Sequence, residues 1–372
     1  MIAAWRLAAL AALGPFASNL LLPGMPAMAG GLATDLLAIQ IALGAFFLAY
    51  APAQLVAGPL ADRHGRLRVL NAGLAIYVGA ALVVAFAPRL DALIAARLAQ
   101  GAGAGAILVA ARAIARDTRD GPALVAVMAA IAIGGALVPA IVPLLAGLAV
   151  EAGGWRAPLM AGAGVAVVAA LVLRRHLPET APPRGHESAV RAYLEVLRDR
   201  GFRRNAVIGA GAFLGLFAFF AGSPHVYIDI LGVSPAGYGL YPPLAVAGFV
   251  IGALAAKRVD AVGAGVALLS LGAAAMLAAP LLDHLHRLTI GATMIVFVTG
   301  LGLLVPATTA AAMAPFKARA GTASALLGAL QMATAGLGIG AVAALQPALP
   351  VLAFPIVMVL GAALALAAYR TT

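Results

Sequence analysis

The chain is laid out as long unbroken runs of Leu, Ala, Val and Gly separated by short, mostly basic turns. That pattern leaves little choice of solvent or of backbone. A membrane crossing needs roughly 20 apolar residues. In hydrocarbon every backbone amide must pair internally, so a crossing is a helix or a strand of a closed barrel. Barrel strands would alternate polar and apolar residues, and these runs do not. Charged residues make up 10% of the chain, against about 25% in water-soluble domains, too few to cover a water-facing surface. The expected fold is an all-α membrane protein with spans at 5–26, 37–57, 69–87, 91–111, 122–149, 156–173, 204–222, 235–256, 262–281, 288–310, 320–345 and 350–369. The first run continues into Pro23-Gly24-Met25-Pro26 without a small-residue cleavage pattern. It is therefore expected to be the first span rather than a cleaved leader.

The net charge of +11 has a topological explanation that needs no nucleic acid. The charges sit in short loops, where basic residues set membrane orientation. One set of loops holds Arg6, Arg63, Arg66, Arg68, Arg112, Arg116, Arg119, Lys257, Arg258, Lys317, Arg319 and Arg370. The same side receives Arg174, Arg175, Arg184, Arg191, Arg198, Arg200, Arg203 and Arg204 from a central segment. The opposite side has Arg89, Arg156 and Arg287, twenty against three, with Arg97 inside a span. The bias predicts both termini in the cytoplasm of a bacterial inner-membrane protein.

The central segment divides the chain into six spans over 1–173, a cytoplasmic linker over 174–203 and six spans over 204–372. The linker opens with Leu177-Pro178-Glu179-Thr180 and Pro182-Pro183 and ends in a charged amphipathic stretch from Ala189 to Asp199. Gly58-Pro-Leu-Ala-Asp-Arg after the second span has a weak echo in Gly252-Ala-Leu-Ala-Ala-Lys-Arg after the eighth. Two related halves around a central cavity are a transporter architecture.

Other chemistries lack their residues. There is no cysteine, hence no disulfide, thiolate metal site or cysteine nucleophile. No phosphate loop, H-E-x-x-H or G-x-S-x-G pattern is present. The expectation is a protein that is not an enzyme, takes no cofactor or metal, and is not driven directly by ATP.

The sharpest local signal is Gly58-Pro59-Leu60-Ala61-Asp62-Arg63-His64-Gly65-Arg66-Leu67-Arg68. It reads as a very short turn between two membrane helices. Gly58 and Gly65 permit close approach and unusual dihedrals. Asp62 can accept hydrogen bonds near a helix N-terminus, and Arg63 and Arg66 can pair with carboxylates. Arg97-Leu98-Ala99-Gln100-Gly101-Ala102-Gly103 lies within the fourth span. A charge there costs about 2.5–3.5 kcal/mol on insertion scales, so Arg97 is expected to face a cavity or a partner. Gly101, Gly103 and Gly105 are expected to let helices pack closely.

In order and position these two stretches resemble the G-x-L-a-D-r-x-G-r-[rk] and R-x-x-Q-G-x-G signatures of the major facilitator superfamily. The resemblance implies twelve helices in two pseudo-symmetric six-helix bundles and transport by alternating access. It implies that Asp62 and the neighbouring arginines latch the cytoplasmic gate against the start of span 11, near Gly321, and that Arg97 is tied to proton coupling. Leu177-Pro-Glu-Thr, Ser223-Pro-His-Val-Tyr-Ile and Gly321-Thr-Ala-Ser-Ala-Leu-Leu-Gly-Ala-Leu-Gln331 extend the likeness to the Bcr/CflA drug-resistance branch, whose members exchange drugs for protons. Span 5 carries Pro139, Pro143 and Gly147. It partly resembles the exporters' antiporter signature, with Val142 and Ala146 in place of two of its glycines, and the prolines are expected to bend the helix and help seal the periplasmic side.

One departure bears on mechanism. Where the branch reads D-x-Y-x-P-x-x-P, this chain reads Asn19-Leu20-Leu21-Leu22-Pro23-Gly24-Met25-Pro26. An amide can hydrogen-bond a substrate but carries no proton in this range. None of the thirteen acids falls mid-membrane by the spans above. Asp35, His225 and Asp229 are the nearest titratable groups, all toward the periplasmic face. Coupling is expected to be displaced or absent. The cavity is expected to be mostly apolar and lined by Asn19, Gln40, Tyr50, Gln54, Arg97, Gln100, Phe213, Phe217, Tyr241 and Gln331. With Arg97 the only buried charge, it should suit neutral or anionic organic molecules. The reading is a monomeric exporter of small organic molecules with protons as the candidate coupling ion. An importer or facilitator of a nucleoside, amino acid or siderophore, and a non-transporting receptor on the same scaffold, are the alternatives.

Overall fold

A computed structural model describes residues 4–119, 121–174, 177, 179–180, 189–256 and 259–371. Lys257, Arg258, Arg175, Arg184, Pro178, Pro182 and Pro183, together with the side chains of Lys317 and Arg319, lie outside the described residues. Among the described residues every regular element is helical. Twelve helices are long and apolar enough to cross a membrane.

The first bundle contains α1 (Ala4–Gly31), α2 (Leu36–His64), α3 (Arg66–Phe86), α4 (Leu90–Thr118), α5 (Gly121–Gly153) and α6 (Arg156–Leu173). A short amphipathic helix, α7 (Ala189–Arg198), follows. The second bundle contains α8 (Arg200–Ile230), α9 (Pro235–Ala255), α10 (Ala261–Leu281), α11 (Arg287–Phe316), α12 (Gly321–Leu345) and α13 (Ala353–Arg370). The predicted spans all appear, several of them longer than expected. The first runs on to Gly31 because Pro23 and Pro26 each fall in the first turn of a new helical segment. A missing N–H costs nothing there, since that donor has no intrahelical partner. Helix starts are fixed by carboxylates and a hydroxyl. Asp35 accepts from the Ala38 N–H (2.8 Å), Asp199 from Phe202 (2.6 Å), Asp260 from Gly263 (3.2 Å) and Ser234 from Gly237 (3.1 Å), as cap residues do.

The pairing of helices repeats between the bundles. In the first, α1 packs on α5 and α6, α2 on α4, and α3 on α4 and α6. In the second, α8 packs on α12 and α13, α9 on α11, and α10 on α11 and α13. This is the same set of neighbours moved six spans along, and it is the pseudo-two-fold relation of duplicated transporter halves. The glycines of α4 act as expected. A Cβ on Gly101 would overlap the Phe46 carbonyl of α2, and one on Gly103 would meet the backbone of α3. Gly302 of α11 stands against the Phe249 carbonyl of α9 in the equivalent place.

The two bundles meet along α2 with α12 and α5 with α9. Twelve crossings put both termini on one face, which also carries the turn at 64–66. That face is termed the basic face, and the opposite one the far face. At the far face the buried Gln40 donates to the Ala221 carbonyl (3.0 Å) and to the Gln346 side chain, tying α2 to α8 and to the residue just beyond α12. Gly147 and Leu144 of α5 abut residues 235–239 at the start of α9, and Glu151 accepts from the Ala236 N–H at 3.1 Å. At the basic face the Tyr193 hydroxyl of α7 donates to the Leu55 carbonyl of α2 (3.1 Å). Val196 of the same helix is buried with Phe202, Ala323 and Leu327 of the second bundle. The bundles are therefore tied together at the far face, and α7 bridges them at the basic face.

Candidate functional site

The candidate site is a tight cleft where α1, α2 and α8 converge, closed in this conformation to anything the size of a water molecule. It is lined by Ser18, Asn19, Leu22, Leu43, Phe47, Phe217 and Phe220, so both bundles contribute to it. Phe47 and Phe217 meet edge to face across the interface with ring centroids 4.5 Å apart. Phe217 also contacts Phe220 edge to face and stacks on Phe213. Edge-to-face rings are held by the aromatic quadrupole and form a definite wall rather than loose filler. Asn19 is 4% exposed. Its amide nitrogen donates to the Pro15 carbonyl at 2.8 Å, and the Ser18 hydroxyl donates to the same carbonyl at 3.0 Å.

The predicted lining residues divide. Asn19 and Phe217 line the pocket, and Phe213 stands directly behind Phe217. Gln40 forms the far-face seal instead. Tyr50 is buried toward α1, with its ring against Gly14 and stacked on Phe46. Gln54 crosses to α12, where its carbonyl oxygen lies beside Gly328. Gln331 turns into the second bundle, close to Gly209 and Thr308. Tyr241 does not join the pocket. It packs on Tyr227, centroids 4.4 Å apart, in an aromatic group with Tyr238 at the far-face end of α8 and α9. The expectation that it lines the cavity is corrected by that stacking: its position seven residues into α9 sets it near the far face rather than at the midplane.

Arg97 is 0% exposed, as its place inside a span required. It does not snorkel outward. Its Nη1 donates to Gln100 Oε1 (2.7 Å) and reaches the Ala17 carbonyl (3.5 Å), and its guanidinium lies 4.4 Å from the Phe46 ring centroid. Nε and Nη2 have no partner. Arg97 therefore stands behind α1, one residue's contact from Ser18, rather than in the pocket. Gln100 opens instead onto a separate hollow inside the first bundle with Phe16, Leu20 and Tyr77.

The turn at Gly65 has the predicted glycine requirement but different partners. Gly65 has φ +104°, the left-handed region that a Cβ disfavours. Asp62 belongs to the last turn of α2, not to a helix N-terminus, and is ion-paired with Arg66. The carboxylate at the start of α3 is Glu179, which accepts from the Arg66 N–H (2.7 Å) and the Leu67 N–H (3.1 Å). A carboxylate with two first-turn N–H groups satisfies orphan donors and complements the positive helix end. Buried Arg66 also donates to Asp117 at 3.0 Å, and Asp117 accepts from Thr180 at 3.0 Å. The side chain that reaches Gly321 at the start of α12 is Arg116 of α4. Arg63 is exposed. Tyr193, lying outside the spans, is held protonated to higher pH than usual by burial first and by Asp62 second, so its hydroxyl remains a donor to α2.

In α5 the helix runs through both Pro139 and Pro143. The contact with the second bundle is carried by Leu144 and Gly147. His225 and Asp229 pair at 2.7 Å in a wide turn at the far end of α8. Several of these roles were missed in the sequence. Phe220 continues a stripe with Phe213 and Phe217 at helical spacing, which could have identified it. Asp117 and Glu179 carry no such signal, because their partner Arg66 is 51 and 113 residues away.

Comparison with known proteins agrees with this architecture. The family model described as Major Facilitator Superfamily matches residues 7–341. The multidrug resistance protein D of Escherichia coli is 30% identical over 349 residues, covering 92% of this chain and 87% of that one. A chloramphenicol resistance protein of Pseudomonas aeruginosa is 32% identical over 225 residues, 60% of this chain and 53% of that one. Among solved structures, a bacterial homologue of the human lysosomal transporter Spinster, inward-facing and unoccupied, superposes with a TM-score of 0.78 at 15% identity over 99% of this chain and 96% of that one.

Proposed function

Because the chain belongs to the major facilitator superfamily, and is thus a multi-pass inner-membrane transporter and not an enzyme, we propose that it exports small, largely apolar organic molecules through the pocket between its two bundles. The observation that carries this reading is the pocket itself. Its wall comes from both bundles and is apolar apart from Ser18 and Asn19, with three phenylalanines, while Gln40 ties the bundles at the far face and Tyr193 of α7 holds α2 at the basic face. A rocking motion of residues 1–173 against 204–372, joined by 174–203, would open it to one face at a time. The resistance names carried by its relatives fit export of amphiphilic compounds by a monomer. The basic face is cytoplasmic in this reading, by the twenty-to-three arginine and lysine bias.

Coupling to protons does not run through α1. Asn19 stands where the resembling branch carries an aspartate, and no carboxylate lines the pocket among the described residues. Flux of a dye and antibiotic panel in proteoliposomes is expected to equilibrate each transported compound and to ignore an imposed pH gradient. Gradient-driven accumulation would overturn uncoupled transport and shift the proton-carrying role to the His225–Asp229 pair, where His225→Gln should then abolish it.

Arg97 acts through charge rather than packing in this reading. A buried cation with two guanidinium nitrogens lacking a hydrogen-bond partner among the described residues is a cost to the fold, and replacing such a group by an apolar one of similar size is often neutral or stabilising. Arg97→Met is therefore expected to keep or raise the thermal midpoint in detergent while lowering flux at least about tenfold. A fall of several degrees with flux reduced in proportion would make Arg97 a packing element.

A further inference from the structure

The polar edge of the central pocket holds a buried acceptor that no group donates to, which narrows what can bind. Asn19 and Ser18 are its polar residues. The Ser18 hydroxyl spends its hydrogen on Pro15 O. One N–H of the Asn19 Nδ2 goes to the same carbonyl at 2.8 Å, and this fixes the amide's orientation: turned over, it would set two carbonyl oxygens against each other. Asn19 Oδ1 is then left buried, shielded from water and without a partner. Leaving such a group unmade costs on the order of 1–3 kcal/mol. The rest of the wall, Leu22, Leu43, Phe47, Phe217 and Phe220, cannot satisfy it. Among the described residues no carboxylate joins the lining, and the Arg97 guanidinium lies 3.5 Å from the Ala17 carbonyl just behind this edge, so a cation meets repulsion with no counter-charge.

We infer that Asn19 selects uncharged aromatic ligands that carry an O–H or N–H donor, with the donor on Asn19 Oδ1 and the ring entering between Phe47 of one bundle and Phe217 and Phe220 of the other as the bundles part. This inference rests on the transport reading for its place in a cycle, but binding alone tests it. A site built to hydrogen-bond a ligand group rejects the analogue lacking that group, because its own buried atom is then left unpaired.

The experiment is equilibrium dialysis of the full chain in detergent against three naphthalene compounds of one size class: 2-naphthalenemethanol, its methyl ether and 2-naphthylmethylammonium. The wild type is expected to hold the alcohol about tenfold more tightly than the ether or the ammonium. Asn19→Leu, close in volume, should bring the alcohol-to-ether ratio to about one. Asn19→Asp should turn the preference toward the ammonium. Equal binding of alcohol and ether by the wild type overturns the inference without recourse to any variant, and so does a preference that survives in Asn19→Leu. Preference without flux would sink the transport reading and leave this one standing; flux without preference would do the reverse.

Discussion

Gly147→Ala is expected to cut transport by about tenfold or more while leaving the protein folded and its far face open. A Cβ at this position would overlap the Pro235 carbonyl oxygen and lie 2.8 Å from Ala236 Cα. Both are backbone atoms and cannot rotate away. Within α5 itself the change is favourable, since alanine is the better helix former by about 1 kcal/mol. The penalty therefore falls on one conformation alone, the one in which α5 and the start of α9 touch. Overpacking of a close contact costs about 1–3 kcal/mol, which shifts a two-state equilibrium roughly 5- to 150-fold at 1.4 kcal/mol per decade. The chain has no cysteine, so one introduced at Leu43, on the pocket wall, reports access directly. In the Gly147→Ala background its labelling by an impermeant maleimide from the far face should rise several-fold. Unchanged labelling with unchanged flux would mean that residues 235–239 yield by a small shift, and that this contact does not govern closure.

The second large effect separates two aspartates around one arginine. Arg66 is 5% exposed and is held by Asp117, which is also nearly buried, and by Asp62, whose side chain is 51% exposed. Removing the enclosed partner leaves the buried guanidinium with the half-exposed Asp62 alone, at a cost of about 2–3 kcal/mol, below that of breaking a buried pair outright. Removing the half-exposed partner costs about 1 kcal/mol or less. Asp117→Asn also loosens Thr180, and with it the neighbouring Glu179 that caps α3. A clear drop in thermal midpoint is expected for Asp117→Asn and little change for Asp62→Asn, read in detergent on the full chain. The family resemblance assigns Asp62 a gating role, in which Asp62→Asn slows flux while substrate binding stays nearly intact. Loss of flux and binding together in Asp62→Asn would make it a folding residue. A larger midpoint drop for Asp62→Asn than for Asp117→Asn would refute the division of roles between the two aspartates.

Both effects turn on contacts between segments far apart in the chain, and that is where legibility in the sequence stops. Periodicity, charge bias and local spacing are properties of neighbouring residues. They are enough to place twelve helices, to require a glycine at 65, to bury Arg97 and to give Gly101 and Gly103 their packing role, because bilayer thickness and the cost of an unpaired amide act on each segment by itself. The partner of a group is different. Glu179 reaches the start of α3 across 113 residues, and Gln40 meets Gln346 across 306. Which of several polar side chains in a span turns toward the pocket depends on the rotation of that helix against its neighbours. That rotation placed Asn19 and Phe217 in the wall, carried Gln331 into the second bundle and left Tyr241 stacked on Tyr227. Sequence alone determined that this chain crosses the membrane twelve times in two related halves. The tertiary packing decided which residues the halves hold between them, since only close contact of side chains fixes helix rotation to better than one residue.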